Sequence, residues 1–258
     1  MFAITTLNKQ LLVETSSGRL FANGAVVQLS MPVVIVRHGE TEGNKLNILQ
    51  GQVDSDTHQL TAFGKMQAGR AAKRLVRQLI EYYGSESALR QAIISHKVKL
   101  YVSPLTRARD SAGYFITHIQ KDLDVSIDML TEELLTEMYF GVLDGKATGD
   151  ISDIALRGLL ARYRAIQDAT IDWKGSGESF VALVNRARQL IENWNMHFMG
   201  TDTVIIGYTH GTFSSALRTI IGDASILNGC VIKKDAEFRM VAYREKMLKN
   251  ADVFWLKC

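Results

Sequence analysis

The chain has 258 residues, 47% of them apolar and 22% charged, with a formal net charge of +3. This is the composition of a folded globular chain, and so small a cationic excess argues against nucleic acid or a membrane surface as a partner. Two cysteines, Cys230 and Cys258, are too few for a disulfide framework and point to reduced thiols in a cytoplasmic setting. The segment Met1–Lys9 lacks the basic and long apolar parts of a secretory leader, and no run approaches about 18 apolar residues, so no membrane span is expected. Residues 1–30 read as a small β appendage. Leu11–Thr15, Leu20–Ala22 and Ala25–Leu29 suit short strands, with Ser16-Ser17-Gly18 as a turn. The appendage can pack on its own domain or on a second copy, which leaves a homodimer open. From residue 31 to 258 the pattern is that of one larger domain. Val33–Val36 is a buried strand ending in Arg37-His38-Gly39. Leu60-Thr61 opens a helix that runs to about Tyr83 and stops at Gly84. Leu100–Val102 is a short strand entering Ser103-Pro104, and a helix follows from about Leu105 to Ile119. Val125 and Ile127 suggest another strand. Residues 131–176 are less regular and read as an inserted loop and helix covering a site. Glu178–Phe198 carries Phe180, Val184, Ala187, Ile191, Trp194 and Phe198 on one helical face. Thr203–Tyr208 is a strand that leads into Thr209-His210-Gly211 and a helix from about Thr212 to Ile221. Phe238–Tyr243 and Val253–Leu256 are strand-like. The alternation predicts an α/β fold, a mainly parallel central sheet with helices on both faces.

Ligands bind at the C-terminal ends of strands in such sheets. If the strands at 33–36, 100–102 and 203–208 lie side by side, they gather Arg37, His38, Ser103, Arg107 and His210. Guanidinium forks bind phosphate oxygens in a bidentate manner. Gly39 and Gly211 allow the backbone to approach an anion, and the helix starting near Thr212 turns its positive end inward. The set reads as a phosphate trap. A neutral imidazole in such a trap can attack phosphorus and hold the phosphoryl group covalently. The leaving alcohol then needs a carboxylic acid, for which Glu132, Glu133 and Glu137 are candidates.

The chain resembles the histidine phosphatase superfamily, the phosphoglycerate mutase-like or RHG family, over roughly residues 33–220. Arg37-His38-Gly39-Glu40-Thr41 with Asn44 resembles its opening motif. Gln50-Gly51-Gln52 with Asp54, then Leu60-Thr61, Gly64 and Gln67-Ala68, resembles the segment that follows. Ser103–Ala112 is similar to the second-arginine motif, Glu137–Gly145 to the acid loop, Gly177-Glu178-Ser179 to its companion, and Thr209-His210-Gly211 to the second-histidine motif. The resemblance implies a phosphoglycerate mutase-like fold and no metal or organic cofactor. It implies His38 as the phosphorylated nucleophile, Arg37, Arg107 and His210 as a clamp on the phosphoryl oxygens, and Glu137 as proton donor and later base. It implies Asn44, Gly39, Thr41, Gln50 and Gly211 as substrate contacts. Departures are the 1–30 segment, Thr209 where serine is common, and the added Ser55–Gln59.

The resemblance points to hydrolysis of a small phosphorylated metabolite. The mutase branch usually has a tryptophan before the Asn, where this chain has Gly43, and the acid loop is phosphatase-like. A phosphoglycerate mutase and a catalytically weak phosphate-binding regulatory protein are the alternatives. No His-x-x-x-His pair suggests a metal site. Arg109, two residues from Arg107, is expected to point away from it. His58, His96, His118 and His197 are expected to be solvated or packed. Arg157, Arg162 and Arg164 read as a solvated helix face from which some members can reach an anionic substrate. Lys45, Gln52 and Lys146 are further possible contacts by placement.

Overall fold

The computed structural model describes residues 27–164, 168–221 and 247–256 with their side chains, and the backbone of Ala165 and of strands at 3–7, 10–14, 20–22, 224–227 and 230–233. Strands β1 (Ala3–Leu7), β2 (Gln10–Glu14) and β3 (Leu20–Ala22) form an antiparallel sheet of their own. The expected strand at Ala25–Leu29 is absent over the described residues 27–29. These instead run against the domain. Val27 donates its N–H to the Ile220 carbonyl, and the Asn195 amide bonds the Gln28 carbonyl and the Ser30 N–H.

The central sheet is built from β4 (Val33–Arg37), β5 (Val98–Val102), β6 (Met129–Thr131), β7 (Val204–Thr209) and β10 (Val253–Leu256), in the order β10-β4-β7-β5-β6. β4, β7, β5 and β6 are parallel, and β10 is an antiparallel edge. The expected strand at Val125–Ile127 forms a few residues later. Leu100 pairs with Met129, while Val125 and Ile127 pack on the core without a ladder. β8 (Ala224–Leu227) and β9 (Cys230–Lys233) form a separate antiparallel pair. The expected strand at Phe238–Tyr243 lies outside the described residues.

Side chains alternate across a strand, and here the alternation feeds two cores. Val33 and Ile35 enter one with Ile205, while Val34 and Val36 enter the other with Val204, Ile206 and Tyr208. Both faces of the sheet are therefore apolar, as a parallel sheet under two helical layers requires. One layer holds α2 (Ala62–Tyr83), α3 (Glu86–Ile94) and α4 (Thr106–Leu123). The other holds α6 (Phe180–Phe198) and α7 (Gly211–Ile220), with α5 (Ile154–Ala165) joining it through Leu156, Leu160 and Tyr163. Thr61 and Ser179 cap α2 and α6 by accepting N–H bonds from Gly64 and Ala182. Gly84, left-handed with φ 88°, ends α2 as its sequence position predicts. The short α1 (Glu42–Lys45) lies just beyond β4.

Candidate active site

β4, β7 and β5 are neighbours in register, so their C-terminal ends carry Arg37, His38, Ser103, Thr209 and His210 to one rim. The rings of His38 and His210 lie 5.2 Å apart. His38 Nδ1 is 2.7 Å from the Gly39 carbonyl. A carbonyl only accepts, so Nδ1 holds the proton and Nε2 keeps its bare lone pair. Burial first, then the charges of Arg107 and Arg37, hold His38 well below the usual imidazole range. It is therefore neutral at neutral pH. His210 is held down by the same causes, burial before the charges of Arg107 and its neighbours.

Arg107 enters from the first turn of α4 and is 1% exposed. Its Nη2 donates to the Gly51 carbonyl at 2.7 Å, Nη1 to the Val53 carbonyl at 3.3 Å and Nε to His210 Nδ1 at 3.2 Å. Burial lowers its pKa to about 10, so it keeps its charge at neutral pH. Arg37 is half-buried and donates Nη1 to the Leu248 carbonyl at 2.6 Å. The segment 247–252 lies over this end of β4, with Ala251 N–H on the His38 carbonyl.

Of the three candidate acids, Glu137 reaches the rim. Glu132 accepts from the Leu134 N–H and Glu133 is exposed. The Glu137 carboxyl sits at the N-terminus of α7. Oε1 accepts from Met138 and Phe213 N–H and Oε2 from Thr212 N–H at 3.0 Å. The positive end of α7 thus faces this carboxyl rather than open space.

A cavity of about 340 Å³ opens here, lined by Arg37, His38, Asn44, Gln50, Arg107 and Glu137 among others. From the expected set, Gly39, Thr41, His210 and Gly211 do not line it; His210 is fully buried behind Arg107 and Ser103. Gly39 N–H is taken by Ser111 Oγ at 3.0 Å, and an added Cβ would collide with the Gly64 carbonyl. Thr41 is buried and caps α1, its hydroxyl donating to Gln50 Oε1 at 2.8 Å. Gly211 packs between the Arg37 guanidinium and Met247. Gln52 donates to the Glu137 carbonyl and Lys45 pairs with Glu42, so both are used within the protein. The lining also includes Asn47, Ile48, Leu49, Phe140, Tyr163, Arg164 and Met247. Of the three arginines of α5, Arg164 faces the cavity while Arg162 pairs with Asp168. Arg109 is exposed, as its offset from Arg107 predicts. Among the described residues, no group of three or more His, Cys, Asp or Glu is gathered for a metal ion, and no helix is long and apolar enough to cross a membrane.

Two residues support the site from behind, and one of them carried no readable signal. Arg186 forks onto Glu178 at 3.0 and 2.8 Å and donates to the carbonyls of Leu134, Thr136 and Glu137. Ser103 Oγ lies 2.8 Å from His210 Nε2. Ser103 was legible from its strand tip, but Arg186 stands eight residues from its partner on a helix whose pattern speaks only of core.

Residues 33–229 match the model of the histidine phosphatase superfamily, branch 1. The chain belongs to this superfamily. It is 28% identical over 181 residues to phosphoglycerate mutase-like protein 4 of Arabidopsis thaliana, covering 69% of this chain and 66% of that one. It is 28% identical over 193 residues to the metal-independent phosphoserine phosphatase of the same plant, covering 75% and 69%. The chain thus spans about two thirds of the length of these relatives. Its fold is shared with mycobacterial glucosyl-3-phosphoglycerate phosphatase, with a TM-score of 0.58 at 22% identity over 87% of this chain and 91% of that one. This member of the superfamily carries His38 and His210 just beyond the adjacent tips of β4 and β7.

Proposed function

We propose that the chain is a phosphomonoester hydrolase that works through a covalent phosphohistidine on His38, with a small phosphorylated metabolite as substrate. The observation that carries the reading is the His38 tautomer. Nδ1 is tied to the Gly39 carbonyl and the ring is neutral, so Nε2 is a ready nucleophile beside two guanidiniums. In the first step Nε2 forms a bond to phosphorus and the ester P–O bond breaks. The Glu137 carboxyl gives its proton to the leaving oxygen. Oε2 accepts a single N–H and so has a lone-pair position left for that proton. In the second step the Glu137 carboxylate takes a proton from water, the water oxygen bonds to phosphorus, and the P–N bond breaks. Arg37 and Arg107 offset the charge that builds on the phosphoryl oxygens. His210 aligns Arg107 from behind, its Nδ1 accepting from that guanidinium and its Nε2 facing Ser103 Oγ. Asn44 and Gln50 contact the substrate, and the reading needs no metal or cofactor.

Relatives named for phosphatases and for mutases both support phosphoryl chemistry. Gly43 where the mutase branch usually carries a tryptophan favours hydrolysis, and a Cβ there would press on the Gln50 side chain and the Thr57 carbonyl. A cytoplasmic location accords with a sequence that has only two cysteines, and a homodimer is part of the proposal.

The test is release of inorganic phosphate from a panel of sugar phosphates, phosphoglycerates, phosphoserine and p-nitrophenyl phosphate. We expect turnover by the wild-type chain, an acid-labile phosphoenzyme after rapid quench, and a loss of several orders of magnitude in His38→Ala, as nucleophile deletions give. Interconversion of phosphoglycerates without phosphate release would overturn hydrolysis. Unchanged turnover in His38→Ala would overturn the nucleophile.

A further inference from the structure

Asp144 stands outside the cavity, yet its carboxylate is built into the joint between the two loops that border it. Oδ1 accepts from the Phe140 N–H at 2.8 Å, and Oδ2 accepts from the Gln52 N–H at 2.9 Å. Phe140 belongs to the loop that carries Glu137, and Gln52 follows Gly51, whose carbonyl receives Arg107 Nη2. The two loops are zipped further by Gly145 N–H on the Leu49 carbonyl, Leu49 N–H on Lys146 and Gln52 Nε2 on the Glu137 carbonyl.

Gly51 explains how the carboxylate comes so close. Its φ of +47° favours glycine. A Cβ built there would collide with the Asp144 carboxylate itself. The glycine vacates the space that the carboxylate fills.

From this juxtaposition we infer that Asp144 is a positioning residue for Arg107. It clasps the 49–53 loop to the Glu137 loop, so that the Gly51 and Val53 carbonyls hold the guanidinium against the tetrahedral oxyanion. The inference deepens the hydrolase reading and rests on it for its functional meaning. Burial raises the Asp144 carboxyl to about 6. It is thus ionised at neutral pH, with both oxygens free to accept. The charged groups facing it are Glu137 and Arg107.

A clasp and a mere charge make opposite forecasts. Asp144→Asn removes a negative charge near the anion site, so through electrostatics alone it would tighten anion binding. As a broken clasp it must weaken it, because the amide nitrogen of Asn cannot accept from a backbone N–H. The probe is sulfate, a tetrahedral dianion, titrated calorimetrically at neutral pH. We expect Kd for sulfate to rise about tenfold in Asp144→Asn, the scale of a lost supporting contact. Gly51→Ala, which keeps the charge, should weaken sulfate similarly. The double variant should be no weaker than either single by more than about twofold, since both break one joint. Circular dichroism and unfolding midpoints verify that each variant is folded. Should Asp144→Asn misfold, Gly51→Ala at neutral pH carries the test alone. Equal or tighter sulfate binding in Asp144→Asn overturns the inference, as does simple additivity in the double variant. A wild-type chain that binds sulfate but releases no phosphate from any monoester sinks the hydrolase reading and leaves the clasp standing. One that binds neither sulfate nor inorganic phosphate sinks both.

Discussion

Arg107 Nε donates to His210 Nδ1 at 3.2 Å, and this bond decides the tautomer of the imidazole. A guanidinium only donates, so Nδ1 is bare and Nε2 carries the proton toward Ser103 Oγ at 2.8 Å. Each of the two central histidines is thus set by one neighbour, His210 by a cation and His38 by a carbonyl. Lysine at 107 could not make the Nε bond and the two carbonyl bonds in one plane. We expect Arg107→Lys to lower kcat/KM on p-nitrophenyl phosphate by about 100-fold or more, the scale of a lost transition-state donor. A loss under fivefold would show that the fork is dispensable.

Both histidines are neutral in the fold because burial and the arginines depress their pKa values. The unfolded chain, with ordinary imidazoles near 6.5, binds protons that the folded chain refuses. The linkage sign is therefore positive: stability rises with pH up to about 6.5 and is lost progressively below it. Asp144 works the other way, since its raised carboxyl keeps a proton that the unfolded chain releases. That contribution falls as pH rises from about 4 through about 6. Urea unfolding at pH 5 and pH 7 will separate them. We expect His210→Asn to reduce the loss of stability on acidification, and Asp144→Asn to enlarge it.

Glu137 is held by three backbone N–H groups, and glutamine would turn an NH2 toward at least one of them. Its proton matters in proportion to the need of the leaving group. We expect Glu137→Gln to lose at least about tenfold more activity on an alkyl phosphate than on p-nitrophenyl phosphate when the phosphorylation step is read by rapid quench. An equal loss on both would assign the proton to another group.

Arg186 and Glu178 form a largely buried fork, their side chains 16% and 15% exposed. The same guanidinium ties the carbonyls of Leu134, Thr136 and Glu137 and lies 5.0 Å over the Phe213 ring. Arg186→Met leaves a carboxylate and those carbonyls without their donor. The expected cost is about 3 kcal/mol in urea unfolding, with activity falling further than Glu178→Gln alone produces.

Residue order alone carried a great deal. The strand-His-Gly units at 33–39 and 203–211 announced a parallel sheet and two imidazoles at its rim, because apolar β-branched runs have few other ways to be buried. Helix limits at Thr61, Gly84 and Ser179 were legible for the same local reason, a cap or a left-handed glycine acting within one turn. The strand at Met129–Thr131 was not, since its register is set by pairing with Leu100 across the sheet rather than by its own pattern. Thr41 and Gly39 stand in the right motif, but their groups are spent on Gln50, Asn44 and Ser111.

The order of residues thus determined the α/β plan, the set of two arginines and two histidines, and the segment that supplies the carboxyl, because each is announced by neighbours within a few positions. Only the folded arrangement decided which nitrogen of His210 is bare, which of three glutamates meets α7, and that Asp144 fills the space Gly51 leaves. Those outcomes depend on contacts between residues 75 to 103 positions apart, where a hydrogen bond's direction and a few tenths of an ångström have no local trace.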